Sequence, residues 1–294
     1  MPLKLKTCDR LSPTPRRTSR RKMADTKGKD LPNWEALEGE VAALRSQLGS
    51  GASPLLFRGQ NNSEFLLSTT LERAGCQRMA IRDYYRLIVS RVRPAIETFT
   101  GQSWQVPDYS IKLHDSFGDV NFLSDQRFPS VELYPYMVYL RHHGLPSPLL
   151  DWSYSHYVAA FFAFRDGVAN SLKRSIYAYS EMPLGGKGGA VGEPAIRQLG
   201  PYIKSHHRHF RHQSICYGFC QDRGWYFHPH DEVFGNRGKQ ELLWKFNIPS
   251  SERVTVLREL DSYNLNAFSL FDSEEALLET LWLREYTLKN PRPL

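Results

Sequence analysis

The stretch Leu140–Phe164, LRHHGLPSPLLDWSYSHYVAAFFAF, decides how the rest of the chain is read. Gly144, Pro146 and Pro148 punctuate it, because glycine admits positive φ and each proline fixes φ at about −65°. A helix arriving at His143 must turn there. From Tyr154 the apolar positions 154, 157, 158, 161 and 162 follow the i, i+3, i+4 rule, and Ala159, Ala160 and Ala163 fill the other side. A helix apolar nearly all round belongs at the centre of a core. Its N-terminus then abuts a tight polar turn, a junction at which ligand sites are often built. Asp151 or Ser153 is placed to cap the orphan N–H groups there, with Asp151 the more economical choice.

Working outward, Leu55–Arg58 reads as a short buried strand that delivers Arg58 at its end. Desolvating an unpaired arginine costs several kcal/mol, so Arg58 needs a carboxylate, carbonyl groups or a ligand phosphate. Two readings stand: a bridge to Asp151 or another acid, or a planar fork of donors gripping an anion. Helical spacing predicts a helix over 33–48 capped by Asn33, one over 78–102 kinked by Pro94, and one over 131–143 leading into the central turn. Residues 103–130 are loop-rich. Downstream, 175–180 and 241–248 read as strands, 250–260 as a helix, 267–270 as a short strand and 272–286 as a C-terminal helix.

The 294-residue chain has a net charge of +7, but residues 1–22 hold eight Lys/Arg against Asp9, which leaves 30 bases and 30 acids in residues 23–294. The basicity is thus confined to a tail, and net charge does not argue that the folded body binds nucleic acid. Residues 1–30 lack apolar periodicity and read as disordered. They suit a nucleic-acid or membrane-surface arm, a transit-like segment, or sequence upstream of a true start at Met23; the Met-Ala-Asp-Thr context favours the last. No apolar run approaches the roughly 20 residues of a membrane span. Cys8, Cys76, Cys216 and Cys220 are irregularly spaced, as reduced thiols of a cytoplasmic protein would be. Gly185–Gly189 lacks the Gly-Lys-Ser/Thr of a phosphate loop. His206, His207, His209 and His212 lack the acidic or Cys partners of a zinc motif, so no metal is expected. Ser147, His142 and Asp151 could form a hydrolase triad, but there is no Gly-x-Ser-x-Gly elbow. Pro148 also removes an N–H that an oxyanion hole would use.

The central stretch resembles the signature of the FRG-domain family, roughly Gln-His-x-Gly-x-Pro-Thr-Arg-Leu-Leu-Asp-Trp-Thr before an Ala/Phe-rich helix. His142, Gly144, Pro146, Leu149, Leu150, Asp151 and Trp152 match, Ser147 and Ser153 stand in for threonines, and Pro148 takes the place of the arginine. Leu55-Leu56-Phe57-Arg58-Gly59-Gln60 supplies the motif that names the family. The resemblance extends over about residues 53–286, and Gln213-Ser-Ile-Cys-Tyr217 resembles the family's Gln-x-Gly-x-Phe strand. The expected layout is a tail over 1–30, an N-terminal helix over 31–50 and one FRG domain over 53–290.

The order of a strand-borne arginine, a Ser turn into a helix and a polar residue on a later strand is similar to the Arg-Ser-Glu layout of cholera-toxin-type ADP-ribosyltransferases. That resemblance implies an α+β domain with a small, mostly antiparallel split sheet packed against several helices. It implies NAD as substrate, held by Arg58, Gly59, His142, Ser147 and Asp151. Gln213 falls near the catalytic position, and since glutamine is no general base, Glu241 or Glu274 would supply the acid. The activity implied is ADP-ribose transfer to a nucleic-acid or protein acceptor by a toxin- or defence-type effector, or NAD hydrolysis. The competing expectation is a non-catalytic module that senses a nucleotide or phosphorylated ligand, with no membrane partner in either case.

Overall fold

The computed structural model describes residues 27–76, 78–106, 129–130, 132–167, 171–186, 195–196, 211–212, 214–218, 220–221, 226–230, 233 and 241–290. Its strands are β1 (Lys27–Asp30), β2 (Leu56–Gln60), β3 (Leu150–Ser153), β4 (Lys173–Ser180), β5 (Ala195–Ile196), β6 (Ser214–Gly218), β7 (Cys220–Gln221) and β8 (Leu242–Pro249). Among the described residues, six of them form one sheet in the order β1-β8-β4-β2-β3-β6, and β5 pairs with β7. Every neighbour in the large sheet is antiparallel except β1, which runs parallel to β8. With the helices below, the architecture is α+β.

Period-two alternation in β2 sends Phe57 and Gly59 to one face of the sheet and Leu56, Arg58 and Gln60 to the other. On the first face Phe57, Ile176, Ala178, Phe246 and Ile248 share a core with helix His156–Phe164. On the second, Leu56, Tyr177, Tyr179, Leu150 and Trp152 form a smaller cluster.

The helices are α1 (Ala36–Gln47), α2 (Thr70–Arg73), α3 (Ile81–Leu87), α4 (Arg93–Thr100), α5 (Leu133–His142), α6 (His156–Phe164), α7 (Arg253–Ser262), α8 (Ala267–Phe271) and α9 (Glu274–Trp282). Trp34, Leu37, Val41 and Leu44 form the expected buried stripe, and Asn33 Oδ1 accepts from the Ala36 N–H at 3.1 Å. A π turn over Ile88–Val92 joins α3 to α4, whose first turn contains Pro94, so the proline's missing donor is absorbed at a break in the helix. Tyr84, Ile88, Tyr136, Met137 and Leu140 pack α3 and α5 into a third core. Between α5 and β3 the chain turns at Gly144, φ +88°, and the Leu145 N–H reaches back to the Leu140 carbonyl at 3.0 Å, which closes the helix end.

Three sequence expectations are corrected. Asp151 does not cap the central helix: it lies on β3, and Ser155 is the cap, accepting from the Val158 N–H. The helix therefore begins at His156 rather than Tyr154. Residues 267–270 are helical, because Asn266 and Ser269 form a reciprocal capping box that overrides the β-like composition. Lys27–Asp30, expected within the tail, is an edge strand. Its polar side chains give no apolar period, as befits a strand that only covers a sheet edge. Among the described residues no helix is long and apolar enough to cross a membrane, and no group of three or more His, Cys, Asp or Glu is placed to hold a metal ion.

Candidate functional site

Strands β2 and β3 share only one registered pair, Phe57 with Ser153. Beyond it they part, so the sheet is split next to Arg58. The Arg58 side chain spans this gap, its Nη1 donating to the Asp151 main-chain carbonyl at 2.7 Å. It takes up an acceptor that an intact ladder would have satisfied. The arginine thus lies mid-strand rather than at a strand end, and its link to Asp151 runs through the backbone.

The gap opens into a cavity of about 670 Å³ lined by Arg58, Gly59 and Gln60 from β2, Asp151–Ser153 from β3, and Val158, Ala159 and Phe162 from α6. That volume suits a small-molecule ligand. Arg141 from α5, Arg73 from α2 and His212 complete the wall, and the loop after β2 brings Glu64, Phe65 and Leu66 to the mouth. Arg141 Nη2 donates to Asp151 Oδ2 at 2.9 Å. Arg73 Nη1 donates to the Ser68 carbonyl at 2.6 Å.

The electrostatics are cationic but crowded. Burial, and then the neighbouring Arg141 and Arg73, lower the Arg58 pKa to about 10 against the pull of Asp151, so the group stays charged at neutral pH. Arg73 is lowered in turn by burial and by Arg141. Burial alone would raise the Asp151 pKa, but Arg141, His142, Arg58 and His212 together hold it below the usual carboxylate value. Asp151 is therefore ionised within a ring of cations.

Gly59 has a packing reason of its own. A Cβ there would lie 1.9 Å from the Ala159 carbonyl oxygen and 2.7 Å from the Ala163 nitrogen, so only glycine lets α6 lie directly on β2. That close approach draws the helix along the floor of the cavity.

The other expected site residues are dispersed. His142 ends α5, half-buried, with its ring 6.1 Å from that of His212, near Asp151 but outside the cavity lining. Ser147 is fully buried. Its N–H and carbonyl bind the Thr70 hydroxyl, and its hydroxyl accepts from the Leu149 N–H, so it fastens the central turn to α2. Glu241 is buried just before β8 and Glu274 is exposed in the first turn of α9; neither lines the cavity. Gln213 lies outside the described residues, next to His212, whose carbonyl accepts from Ser153 Oγ at 2.8 Å.

Gln60, Arg73 and Arg141 are the site residues that sequence reasoning missed. Gln60 had a signal, since alternation puts it on the face of Arg58. Arg73 and Arg141 had none, because nothing local distinguishes them from solvated helical arginines.

A family model for the FRG domain matches residues 53–171. No curated protein and no solved structure matches the chain. The matched segment holds β2, the central turn and α6, and every lining residue of the cavity except His212. The cavity in the split sheet is thus built almost entirely from the segment that matches the FRG-domain model.

Proposed function

We propose that the FRG domain binds a phosphorylated nucleotide-class ligand in the Arg58 cavity, with NAD the first candidate. The observation that carries this reading is a half-buried arginine in a cavity whose wall also bears Arg73 and Arg141. Only Arg141 has a carboxylate at hydrogen-bond distance among the described residues. Arg58 and Arg73 donate to backbone carbonyls, which leaves their charge to a ligand. Guanidinium groups suit phosphate oxygens, which accept two parallel bonds. Phe65 and Leu66, about half exposed at the mouth, offer apolar surface to a base.

The ADP-ribosyltransferase reading asks more of the site. Transfer to a nucleic-acid or protein acceptor, or hydrolysis of NAD, needs an acid at the scissile ribose, and Glu241 and Glu274 lie outside the cavity. Titration calorimetry with NAD tests the proposal in wild type, Arg58→Lys and Arg58→Ala. Binding that is weakened by Arg58→Lys and abolished by Arg58→Ala supports it, and unchanged binding in Arg58→Ala overturns it. Following nicotinamide release in the same samples separates the readings, since turnover would show that the site is catalytic.

A further inference from the structure

The cavity wall holds five buried polar atoms without a hydrogen-bond partner among the described residues: Arg58 Nε, Arg141 Nε, Trp152 Nε1, Gln60 Oε1 and Asp151 Oδ1. Buried polar groups are nearly always satisfied, so such a cluster at one cavity calls for a ligand. Three of the atoms are donors and two are acceptors. The phosphate group of a monoester, mostly a dianion without an O–H at neutral pH, answers the first three and leaves the last two orphaned.

The acceptors are well defined. Gln60 is 9% exposed, and its Nε2 donates to the Leu66 carbonyl at 3.1 Å, which fixes the orientation of the amide and turns Oε1 away as the free acceptor. Asp151 gives Oδ2 to Arg141 and keeps Oδ1 unmet. Both residues line the cavity, Gln60 from β2 and Asp151 from β3. The loop that Gln60 anchors carries Phe65 and Leu66, so the acceptor also sits where that apolar mouth begins.

We infer that Gln60 Oε1 and Asp151 Oδ1 are a pair of acceptors for ligand hydroxyl groups, so that the site selects a phosphorylated sugar or the ribose phosphate of a nucleotide over an alkyl phosphate. This rests on the Arg58 cavity being a phosphate site, as proposed above. Gln60 is then a specificity-determining residue, and Asp151 has a second role beside its ion pair. A carboxylate in a cationic cavity, which weakens the hold on phosphate, becomes intelligible as the price of reading hydroxyls.

The test compares ribose 5-phosphate with pentyl phosphate, which match in charge and carbon count and differ in hydroxyl groups. Both are titrated calorimetrically into the full chain as wild type, Gln60→Leu and Arg58→Ala. Ribose 5-phosphate should bind wild type about tenfold or more tighter than pentyl phosphate, since a site built for hydroxyls penalises a ligand that lacks them. Gln60→Leu should erase most of that ratio by weakening ribose 5-phosphate alone, whereas a general loosening of the loop would weaken both. Equal affinities in wild type overturn the inference, and this comparison decides even where Gln60→Leu fails to fold. Absence of binding by both probes, or pentyl phosphate binding untouched by Arg58→Ala, would instead overturn the phosphate site itself.

Discussion

Arg58, Arg141 and Asp151 divide the work of holding the split sheet in a way that sets different expectations for each arginine. Arg58→Ala removes one bond to a main-chain carbonyl and relieves repulsion from Arg73 and Arg141. Its stability cost should be about 1–3 kcal/mol, that of a carbonyl left without its donor. Arg141→Ala leaves a carboxylate without its ion-pair partner and should cost more. It should still fall short of the roughly 3–5 kcal/mol of a fully buried pair, because a third of the Asp151 side chain is exposed (33%). Thermal melts of both variants check the order, and an Arg58→Ala protein the less stable of the two would contradict it. Gly59→Ala is the more severe change. The added carbon meets backbone rather than a movable side chain, so the loss should reach or exceed about 3 kcal/mol, and a wild-type melting temperature would show that α6 does not lie on β2 as described.

At the scale of elements, α6 is where sequence and structure agree most closely and where their difference is most informative. Phe161 is 2% exposed and sits in the main core, whereas Phe162 is half-buried and lines the cavity. Phe161→Ala should therefore cost roughly 3–5 kcal/mol. Phe162→Ala should cost clearly less and change ligand affinity instead, which denaturant unfolding and titration of the two variants would resolve. The first turn of α6 also contacts α1: buried His156 bonds Glu38 Oε1 through Nε2 at 2.9 Å, and the Tyr157 hydroxyl donates to the same oxygen. Burial, aided by Arg45, lowers the His156 pKa against the opposing pull of Glu38. A histidine lowered on folding contributes stability that is complete above the unfolded value of about 6.5 and is lost as pH falls through it toward the folded value. The stability advantage of wild type over His156→Gln should accordingly shrink between pH 7 and pH 5, and an advantage that grows on acidification would reverse the sign. Periodicity made α6, α5 and β2 legible from the chain alone, because burial leaves its mark on apolar spacing. The cap of α6 and the partner of Asp151 were not legible, since an aspartate before a helix looks alike whether it caps locally or pairs with an arginine of another element. The α8 segment was misread because its capping box lies in two polar residues, Asn266 and Ser269, outside any apolar pattern.

Across the whole molecule, the sheet ends at β1, and that edge decides what the N-terminal region contributes. The Leu31 N–H continues the ladder to the Asn247 carbonyl at 2.8 Å, and Asp30 accepts from Lys173 Nζ and Asn247 Nδ2. Lys29 reaches Glu40 on α1, tying the edge strand to the first helix. Without β1, the outer edge of β8 would present unpaired N–H and C=O groups, a template for association with other chains. Residues 1–22 carry seven of the protein's net positive charges, while residues 23–294 balance 30 bases against 30 acids. Two truncations should therefore behave differently. Removing residues 1–22 keeps the whole of β1, so the melting temperature should be unchanged, and only weak, salt-sensitive binding to polyanions should be lost. Removing residues 1–30 strips β1 and its contacts with β8, so it should lower the melting temperature by several degrees, the shift expected for about 1 kcal/mol or more in a chain of this size. It should also raise the tendency to self-associate, as seen by light scattering at matched concentration. Equal melting temperatures for the two truncated proteins would show that the edge strand adds nothing to the stability of the sheet, and a marked loss already at 1–22 would mean that the basic segment supports the fold.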